Sequence, residues 1–259
     1  MIPSRARLLD EGVERGTLRV SQGTKGGGVE TILQSLQPLI VKGVPLTIAL
    51  TLGLLGMGLA LGFPLAFAQV YGYRPLRWLC ATYEQTFRGI PALVLILLFH
   101  SGLALSFHIL LPAFVSALIA LGLRSSAYQS QIFRGAIQSV SEGQMLAARS
   151  LGMSKLQAIR HIILPQALRL SIPSWTNEFS SVLKDTSLAS AIGVVELAKE
   201  GTLIMTRIQH ALGARWILAI WLVVSIIYLV LTALGNRGLG FLENRLRIPG
   251  FETRGKVER

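Results

Sequence analysis

Charged residues and cysteine are scarce in this sequence, and each shortage argues against a class of protein. Only 15% of the 259 residues are charged, whereas soluble domains average about 25%. Among the charged residues the acidic ones are fewer, with 13 Asp and Glu against 25 Lys and Arg, so the net charge is +12. A basic nucleic-acid-binding protein is nevertheless disfavoured, because 51% of the residues are hydrophobic. Cys80 is the single cysteine, which excludes an intrachain disulfide framework and a thiolate metal cluster.

The sequence also lacks a phosphate-binding loop. Residues 23–28, GTKGGG, are rich in glycine but do not have the Gly-Lys-Ser/Thr ending of such a loop. No other stretch comes closer, so the chain is not expected to bind ATP itself. His100 and His108 do not stand at metal-ligand spacing with any other ligand, and no metal site is expected.

The sequence contains runs without charged residues that are longer than those expected in a soluble protein. Gly43–Tyr73 contains no charged residue and exceeds the roughly 20 residues that cross a bilayer. We predict a first span at Leu46–Val70 and an amphipathic stretch at Leu76–Phe87. A turn is expected in Ser106–Pro112 and a loop in Gly201–Arg215. The four further spans are predicted at Ile90–Leu105, Pro112–Gln131, Gln166–Leu183 and Trp216–Gly235. The sequence therefore predicts an all-α integral membrane protein with five transmembrane helices.

The distribution of basic residues predicts the orientation and the division of the chain. Lys and Arg are more frequent in residues 72–89, 134–169 and 236–259 than in the segments on the opposite side, which places these three in the cytoplasm. The N-terminus is then outside, although its own basic tail works against this choice. The predicted parts are a polar N-terminal tail at 1–42, a transmembrane domain at 43–236 with a polar loop at 139–165, and a basic cytoplasmic tail at 237–259.

The polar loop is predicted to form two short helices joined at a hinge. Gln144–Leu151 contains good helix formers, Gly152 suits the left-handed turn that ends a helix, and Ser154 can cap the next one. The second helix, Leu156–Leu164, is predicted to end at Pro165, which lacks a backbone donor. The first helix has a small apolar face, and a helix of that kind suits the groove of a partner.

The spacing within this loop resembles that of a known motif. It is similar to the EAA loop of ABC-importer permease subunits at Ala147, Ala148, Gly152, Ile162, Leu164 and Pro165. Flanking motifs are similar to those of the polar amino-acid branch of that family, the histidine/glutamine/arginine permease type: Arg88-Gly-Ile-Pro91, Tyr128, Phe133-Arg134-Gly135, Gly143-Gln144, Leu164-Pro-Gln-Ala167 and Lys184-Asp-Thr-Ser-Leu188. The resemblance covers about residues 41–250. Leu146 and Gln131 depart from it, since the family often has Glu at both positions.

This resemblance implies a fold and a function. The fold would be that of a type I ABC-importer permease (MetI-like), with a cytoplasmic EAA coupling loop. The function would be ATP-driven import of polar amino acids across the bacterial cytoplasmic (inner) membrane by alternating access. The alternative is a secondary, ion-coupled amino-acid transporter without an ATPase partner.

The resemblance also implies the partners. They are ABC ATPase subunits, which would hold the ATP and Mg, an extracytoplasmic solute-binding protein, and a second permease chain, identical or related; nucleic acid is not among them. No catalytic residue and no cofactor are expected in this chain. The residues implied to couple it to the ATPase are Gly143, Gln144, Ala147, Ala148, Gly152, Ile162, Leu164 and Pro165.

A candidate solute site comes from the third and fourth spans. In the third, Arg124 lies about 18 Å from the start of the helix by spacing, where an unpaired guanidinium costs roughly 3 kcal/mol or more. Tyr128 and Gln131 follow on the same helix face. The fourth span is unusually polar and is interrupted at Lys184–Ser187, as in transporters that bind solutes near the midplane. The candidate solute-binding residues are Arg124, Tyr128, Gln131, Glu178, Ser181, Asp185, Thr186 and Ser187.

Each charged candidate has a predicted role. The Arg124 guanidinium can hold the carboxylate of an amino acid with two parallel hydrogen bonds, and Glu178 or Asp185 can hold the ammonium. Because Gln131 is uncharged, a neutral or acidic amino acid is favoured over arginine or lysine. The alternatives for Arg124 are a structural hydrogen-bond network between helices, or a somewhat longer turn before the third span that places Arg124 at the membrane interface. The alternative for Lys184 and Asp185 is that they pair with other side chains and hold the helices together.

Overall fold

The computed structural model describes residues 36–212 and 216–246, and in these two ranges its secondary structure is helical throughout. The helices are α1 (Leu36–Tyr71), α2 (Arg74–Gly89), α3 (Ala92–Phe107), α4 (Ala113–Ser139), α5 (Glu142–Ser150), α6 (Lys155–Ala158), α7 (Leu164–Asp185), α8 (Leu197–Leu212) and α9 (Ile217–Leu246). A 3₁₀ segment, Thr186–Ile192, follows α7. The remaining parts of the two predicted tails, residues 1–35 and 247–259, lie outside the described residues.

The predicted spans correspond to α1, α3, α4, α7 and α9. By length and hydropathy alone, α1 and α9 could each cross a membrane, and α2 with α3, bent by 101° between them, could count as one more. Helices α4 and α7 do not pass that test because both contain many polar residues, some of which pair across the contact between the two helices. The five-span count and the outside N-terminus therefore stay predictions. The turn in Ser106–Pro112 is confirmed, since α3 ends at Phe107 and α4 begins at Ala113.

Close packing of α1 on α4 forms the centre of the bundle. The Gly58-x-x-x-Gly62 pair lies at this crossing, where a Cβ on Gly62 would stand 2.7 Å from the Ser126 carbonyl oxygen. The Gln129 amide of α4 donates to the Leu55 carbonyl at 3.2 Å and accepts from the Trp175 indole at 2.9 Å. One fully buried side chain thus joins α1, α4 and α7.

The loop predicted at Gly201–Arg215 is wrong, because most of that segment lies in α8. The Glu196 carboxylate accepts the backbone N–H groups of Ala198 and Lys199 at 2.9 Å and so caps the first turn of the helix. Gly201 marks a close helix contact and not a loop, since its Cβ would lie 2.8 Å from a Val224 methyl of α9. The prediction of a loop rested on the polar residues of this stretch.

The predicted hinge of the two-helix loop is confirmed, but the predicted end of its second helix is wrong. Gly152 has a φ of +84°, and the side chains of Ser154 and Gln157 form a reciprocal capping box at the start of α6. Pro165 does not end the second helix. A π-turn at Ile159–Ile163, in which the Leu164 N–H donates to the Ile159 carbonyl, accommodates the proline, and the chain continues into α7.

Both predicted limits of the transmembrane domain fall inside helices. Helix α1 already includes Leu36–Lys42, before the boundary predicted at residue 43. Helix α9 continues to Leu246, beyond the boundary predicted at residue 236. Both helices therefore continue beyond their uncharged runs into segments that contain charged residues.

Candidate functional site

A cleft of about 350 Å³ lies between α4 and α7 and opens on the surface of the chain. Its volume is at the lower end of the range for small-molecule sites, roughly 300–1,000 Å³. Its lining is mainly polar and consists of Arg124, Tyr128, Ile132, Ser174, Asn177, Glu178, Ser181 and Asp185. Five of the eight predicted solute-binding residues are among them. The interruption predicted at Lys184–Ser187 is a change of helix type and not a break, since α7 ends at Asp185 and the chain continues directly as the 3₁₀ segment Thr186–Ile192.

Arg124 and Asp185 form an ion pair that faces this cleft. The Arg124 Nη1 donates to the Asp185 Oδ2 at 2.6 Å, and the two side chains keep 24% and 30% of their surface exposed. The Arg124 Nη2 lies 3.4 Å from the Tyr128 hydroxyl, at the long limit of a hydrogen bond. The buried Nε has no acceptor among the described residues. The ion pair offsets the cost of placing a guanidinium at this depth, but it uses only part of the hydrogen-bonding capacity of Arg124.

Glu178 is held on the same cleft by a chain of hydrogen bonds. Its carboxylate accepts from the Ser125 hydroxyl at 2.8 Å, and that hydroxyl in turn accepts from the Gln129 amide at 3.2 Å. Because Gln129 is anchored to α1 and α7, the position of Glu178 is set by the packing of three helices. The cleft therefore has one fixed carboxylate, Glu178, and one carboxylate already paired with a cation, Asp185.

Three of the predicted solute-binding residues lie outside the cleft. The Gln131 amide points to α2, where it lies 3.5 Å from the Glu84 carboxylate. The buried Thr186 hydroxyl donates to the Leu183 carbonyl and the Ser187 hydroxyl to the Lys184 carbonyl, both at 2.7 Å. The hydroxyls at the end of α7 are thus satisfied by their own backbone, and Gln131 is drawn to a buried carboxylate. The preference for neutral or acidic amino acids, which rested on Gln131, loses its structural basis.

Arg88 is a residue that the sequence analysis missed as a candidate. Its Cζ lies 4.9 Å from the centroid of the Tyr128 ring, the same distance as the Cζ of Arg124. The buried Nε of Arg88 has no hydrogen-bond partner in the part of the chain that the structure describes. Arg88 lies in the last turn of α2, where the helix dipole favours a cation. The motif Arg88-Gly-Ile-Pro91 marked the residue, but nothing in its spacing indicated contact with Tyr128.

A second polar cluster joins α1, α2 and α4 away from the cleft. Glu84 is 3% exposed and accepts from the Gln69 amide, and its Oε2 lies 3.6 Å from the Arg134 Nη2. The Arg134 Nη1 donates to the Gln69 Oε1 at 2.6 Å. Together with the Gln131 amide, the Gln69 amide and the Arg134 guanidinium surround the buried Glu84 carboxylate with donors. Its interlocked hydrogen bonds make it a structural element.

The residues implied to couple the chain to an ATPase fall into an inner and an outer group. Ala148 is buried, and Ile162 packs with Ile163 and Ala167 on the end of α4. The outer group consists of the exposed residues Gly143, Gln144, Ala147, Gly152 and Pro165. Leu164 is half-buried at the start of α7. Leu146 is 67% exposed on α5. The loop is thus fixed to the bundle on one side and presents α5 on the other.

The chain matches known proteins over most of its length. The family model described as binding-protein-dependent transport system inner membrane component matches residues 58–248. The L-cystine transport system permease protein TcyB of Bacillus subtilis is 37% identical, over 84% of this chain and 90% of that protein. The glutamine transport system permease protein GlnP of Escherichia coli is 33% identical, over 82% of this chain and 94% of that protein.

Solved structures give the same grouping. The crystal structure of an amino acid ABC transporter with histidines superposes with a TM-score of 0.75 at 32% identity, covering 83% of this chain and 97% of that one. The MetNI methionine ABC transporter in an inward-facing conformation superposes with a TM-score of 0.69 at 17% identity. The second likeness bears on the fold alone.

Proposed function

The chain belongs to the family of binding-protein-dependent transport system inner membrane components, and from this premise we propose that it is the permease subunit of an ATP-driven importer of polar amino acids. It is an integral protein of the bacterial cytoplasmic membrane and not an enzyme, since the ATPase of such importers is a separate chain. The alternative, a secondary transporter without an ATPase partner, is not supported by the matched family or by the relatives named above.

The observation that carries the substrate class is the pair of opposite charges facing the cleft. A free amino acid brings a carboxylate and an ammonium, and Arg124 and Asp185 supply one charge for each. The guanidinium fork of Arg124 suits the carboxylate, whereas Asp185 or Glu178 suits the ammonium. Asn177, Ser174 and Ser181 line the remainder of the cleft and can hydrogen-bond a polar side chain. A cystine and a glutamine permease among the relatives agree with a polar side chain.

In the proposed mechanism, α5 docks on an ABC ATPase subunit that binds the ATP and Mg. Closure of two such ATPases on ATP moves the coupling loop of each permease chain and turns the cleft to the outside. A solute-binding protein then delivers the amino acid there, and hydrolysis returns the cleft to the inside. The second permease chain is identical or related to this one. No catalytic residue is needed in either chain.

The proposal is tested by uptake into proteoliposomes that contain this chain, its ATPase and its solute-binding protein. The panel consists of the twenty common amino acids and L-cystine, each radiolabelled, with ATP inside or outside the vesicles. We expect uptake of at least one polar amino acid that requires ATP on the ATPase side and is unaffected by ionophores. Uptake driven by an ion gradient without the ATPase, or no uptake of any member of the panel, would contradict the proposal.

A further inference from the structure

The Arg124–Asp185 contact leaves the guanidinium only partly used. Asp185 accepts from Nη1 alone, Nη2 has a long contact with the Tyr128 hydroxyl, and Nε has no acceptor among the described residues. A guanidinium offers five N–H donors in a fork that matches the two oxygens of one carboxylate. A carboxylate entering from the cleft can therefore compete with Asp185 for Nη1 and also accept from Nη2, which Asp185 does not do.

Asp185 lies where α7 passes into the 3₁₀ segment Thr186–Ile192, and its side chain keeps 30% of its surface exposed. The hydrogen bond that its carboxylate accepts comes from Arg124. If the carboxylate of a ligand took its place on Arg124, Asp185 could bind an ammonium group in the same cleft by a charge-assisted hydrogen bond.

The charges that line the cleft also restrict what can enter. They are one cation, Arg124, and two carboxylates, Glu178 and Asp185. A carboxylate that displaced Asp185 without bringing a cation would leave Asp185 without its counter-charge, in a cleft that Glu178 already lines with a second carboxylate. A zwitterion converts one ion pair into two and leaves the summed charge unchanged.

From these three observations, and resting on the function proposed above, we propose that Asp185 pairs with Arg124 in place of the solute carboxylate while the cleft is empty. In the empty cleft its carboxylate occupies the position on Arg124 that the carboxylate of the amino acid takes on entry. The exchange releases Asp185, which then binds the ammonium of the same molecule. The cleft accordingly requires both charges of the zwitterion in one ligand, whatever the side chain.

The test uses the permease–ATPase complex in nanodiscs, without the solute-binding protein, so that only the cleft selects the ligand. The probe is the amino acid with the highest ATP-dependent uptake in the panel described above. Its α-carboxamide, which keeps only the ammonium, and its N-acetyl derivative, which keeps only the carboxylate, compete against it. We expect each derivative to bind about ten- to a hundredfold more weakly than the parent, as for the loss of one charged hydrogen bond.

Variants separate the exchange from a structural role. With Asp185→Asn, the parent should bind at least about tenfold more weakly, and the N-acetyl derivative should bind as well as the parent, because the ammonium has lost its partner. With Arg124→Gln, the α-carboxamide should bind as well as the parent. The double variant Arg124→Gln/Asp185→Asn leaves neither charge unpaired, so it should be recovered in wild-type amounts and should not distinguish the parent from either derivative.

The matched control is Lys184→Gln, which removes a charge next to Asp185 from a side chain that lines a different cavity. It should leave all three affinities unchanged. If Asp185→Asn still rejects the N-acetyl derivative as the wild type does, the ammonium binds elsewhere and the exchange is overturned, while ATP-dependent uptake by the wild type keeps the proposed function intact. If no amino acid of the panel is taken up, the proposed function fails and the exchange fails with it.

Discussion

Two ion pairs, Arg124–Asp185 and Arg134–Glu84, have their arginines on α4 but differ in the groups that surround them. The shorter contact, 2.6 Å, belongs to the Arg124–Asp185 pair, whose two side chains stay partly exposed to the cleft. The contact between Arg134 and Glu84 is longer, 3.6 Å, but Glu84 is almost fully buried and Gln69 bonds to both partners. The number of supporting partners, and not the distance, separates a pair that holds helices together from one that a ligand can replace.

The largest expected effect is on the buried pair. Glu84→Gln should cost about 3 kcal/mol, because the new amide would be buried and would place an NH₂ donor among the donors of Gln69, Gln131 and Arg134, which leaves one of them without an acceptor. Asp185→Asn, the same chemical change at the cleft, should cost about 1 kcal/mol or less, since water can reach that pair. Thermal unfolding of the detergent-solubilised complex compares the two. Equal losses of stability would remove the distinction between a structural and a replaceable pair.

The next effect concerns transport and not stability. Arg124→Lys keeps the charge but loses the fork that binds two carboxylate oxygens, so the initial rate of uptake should fall about ten- to a hundredfold. The amount of assembled complex, measured by gel filtration, should stay at the wild-type level. Near-normal uptake by both Arg124→Lys and Arg124→Gln would place Arg124 with Arg134 as a structural residue.

A third change leaves both ion pairs intact and acts on the coupling loop. Gly152 has a positive φ, and a β-branched residue there should be strained by roughly 1–3 kcal/mol. Gly152→Val should therefore lower solute-stimulated ATPase activity several-fold, while solute binding without nucleotide is unchanged. Gly135→Val is the control, because that glycine also has open space around its Cα but no positive φ. If the two variants lose activity equally, strain at the hinge is not the cause.

The smallest effect is expected at Leu146, which belongs to neither pair and is exposed on α5. Leu146→Glu introduces the residue usual in the family at a position where this chain presents an apolar side chain. Stimulated ATPase activity should stay the same or fall by about twofold, as for a change at the rim of an interface. An increase in coupling would show that the partner surface is suited to Glu.

Local spacing predicted those features that depend on a single helix. The shared face of Arg124 and Tyr128, the hinge at Gly152 and the turn before α4 follow from periodicity and turn chemistry. The pairing of Arg124 with Asp185 joins residues far apart in sequence and depends on how α7 packs on α4. The packing of α2 on α4 draws Gln131 to Glu84 and brings Arg88 to Tyr128, and the spacing within one helix can indicate neither contact.

The errors in element ends have a common cause. The polar composition of the segment that begins at Gly201 predicted a loop and Pro165 predicted a helix end, but both positions lie in helical structure. Gly201 is there because Val224 packs against it, and Pro165 is accommodated by the preceding π-turn. Tertiary contacts and a local change of hydrogen bonding override the preference of the single residue.

Because the helix continues through Pro165, the segment Lys155–Asp185 can act as a lever between the coupling loop and the cleft. From Lys155 to Asp185 the backbone is helical without a gap, a path of about 45 Å at 1.5 Å per residue. One end of this lever adjoins the hinge at Gly152, and the other bears the carboxylate that holds Arg124. A tilt of about 5° over that length displaces the far end by about 4 Å, which exceeds the reach of a hydrogen bond. A movement of the coupling loop that tilted this segment as one body would therefore separate Asp185 from Arg124.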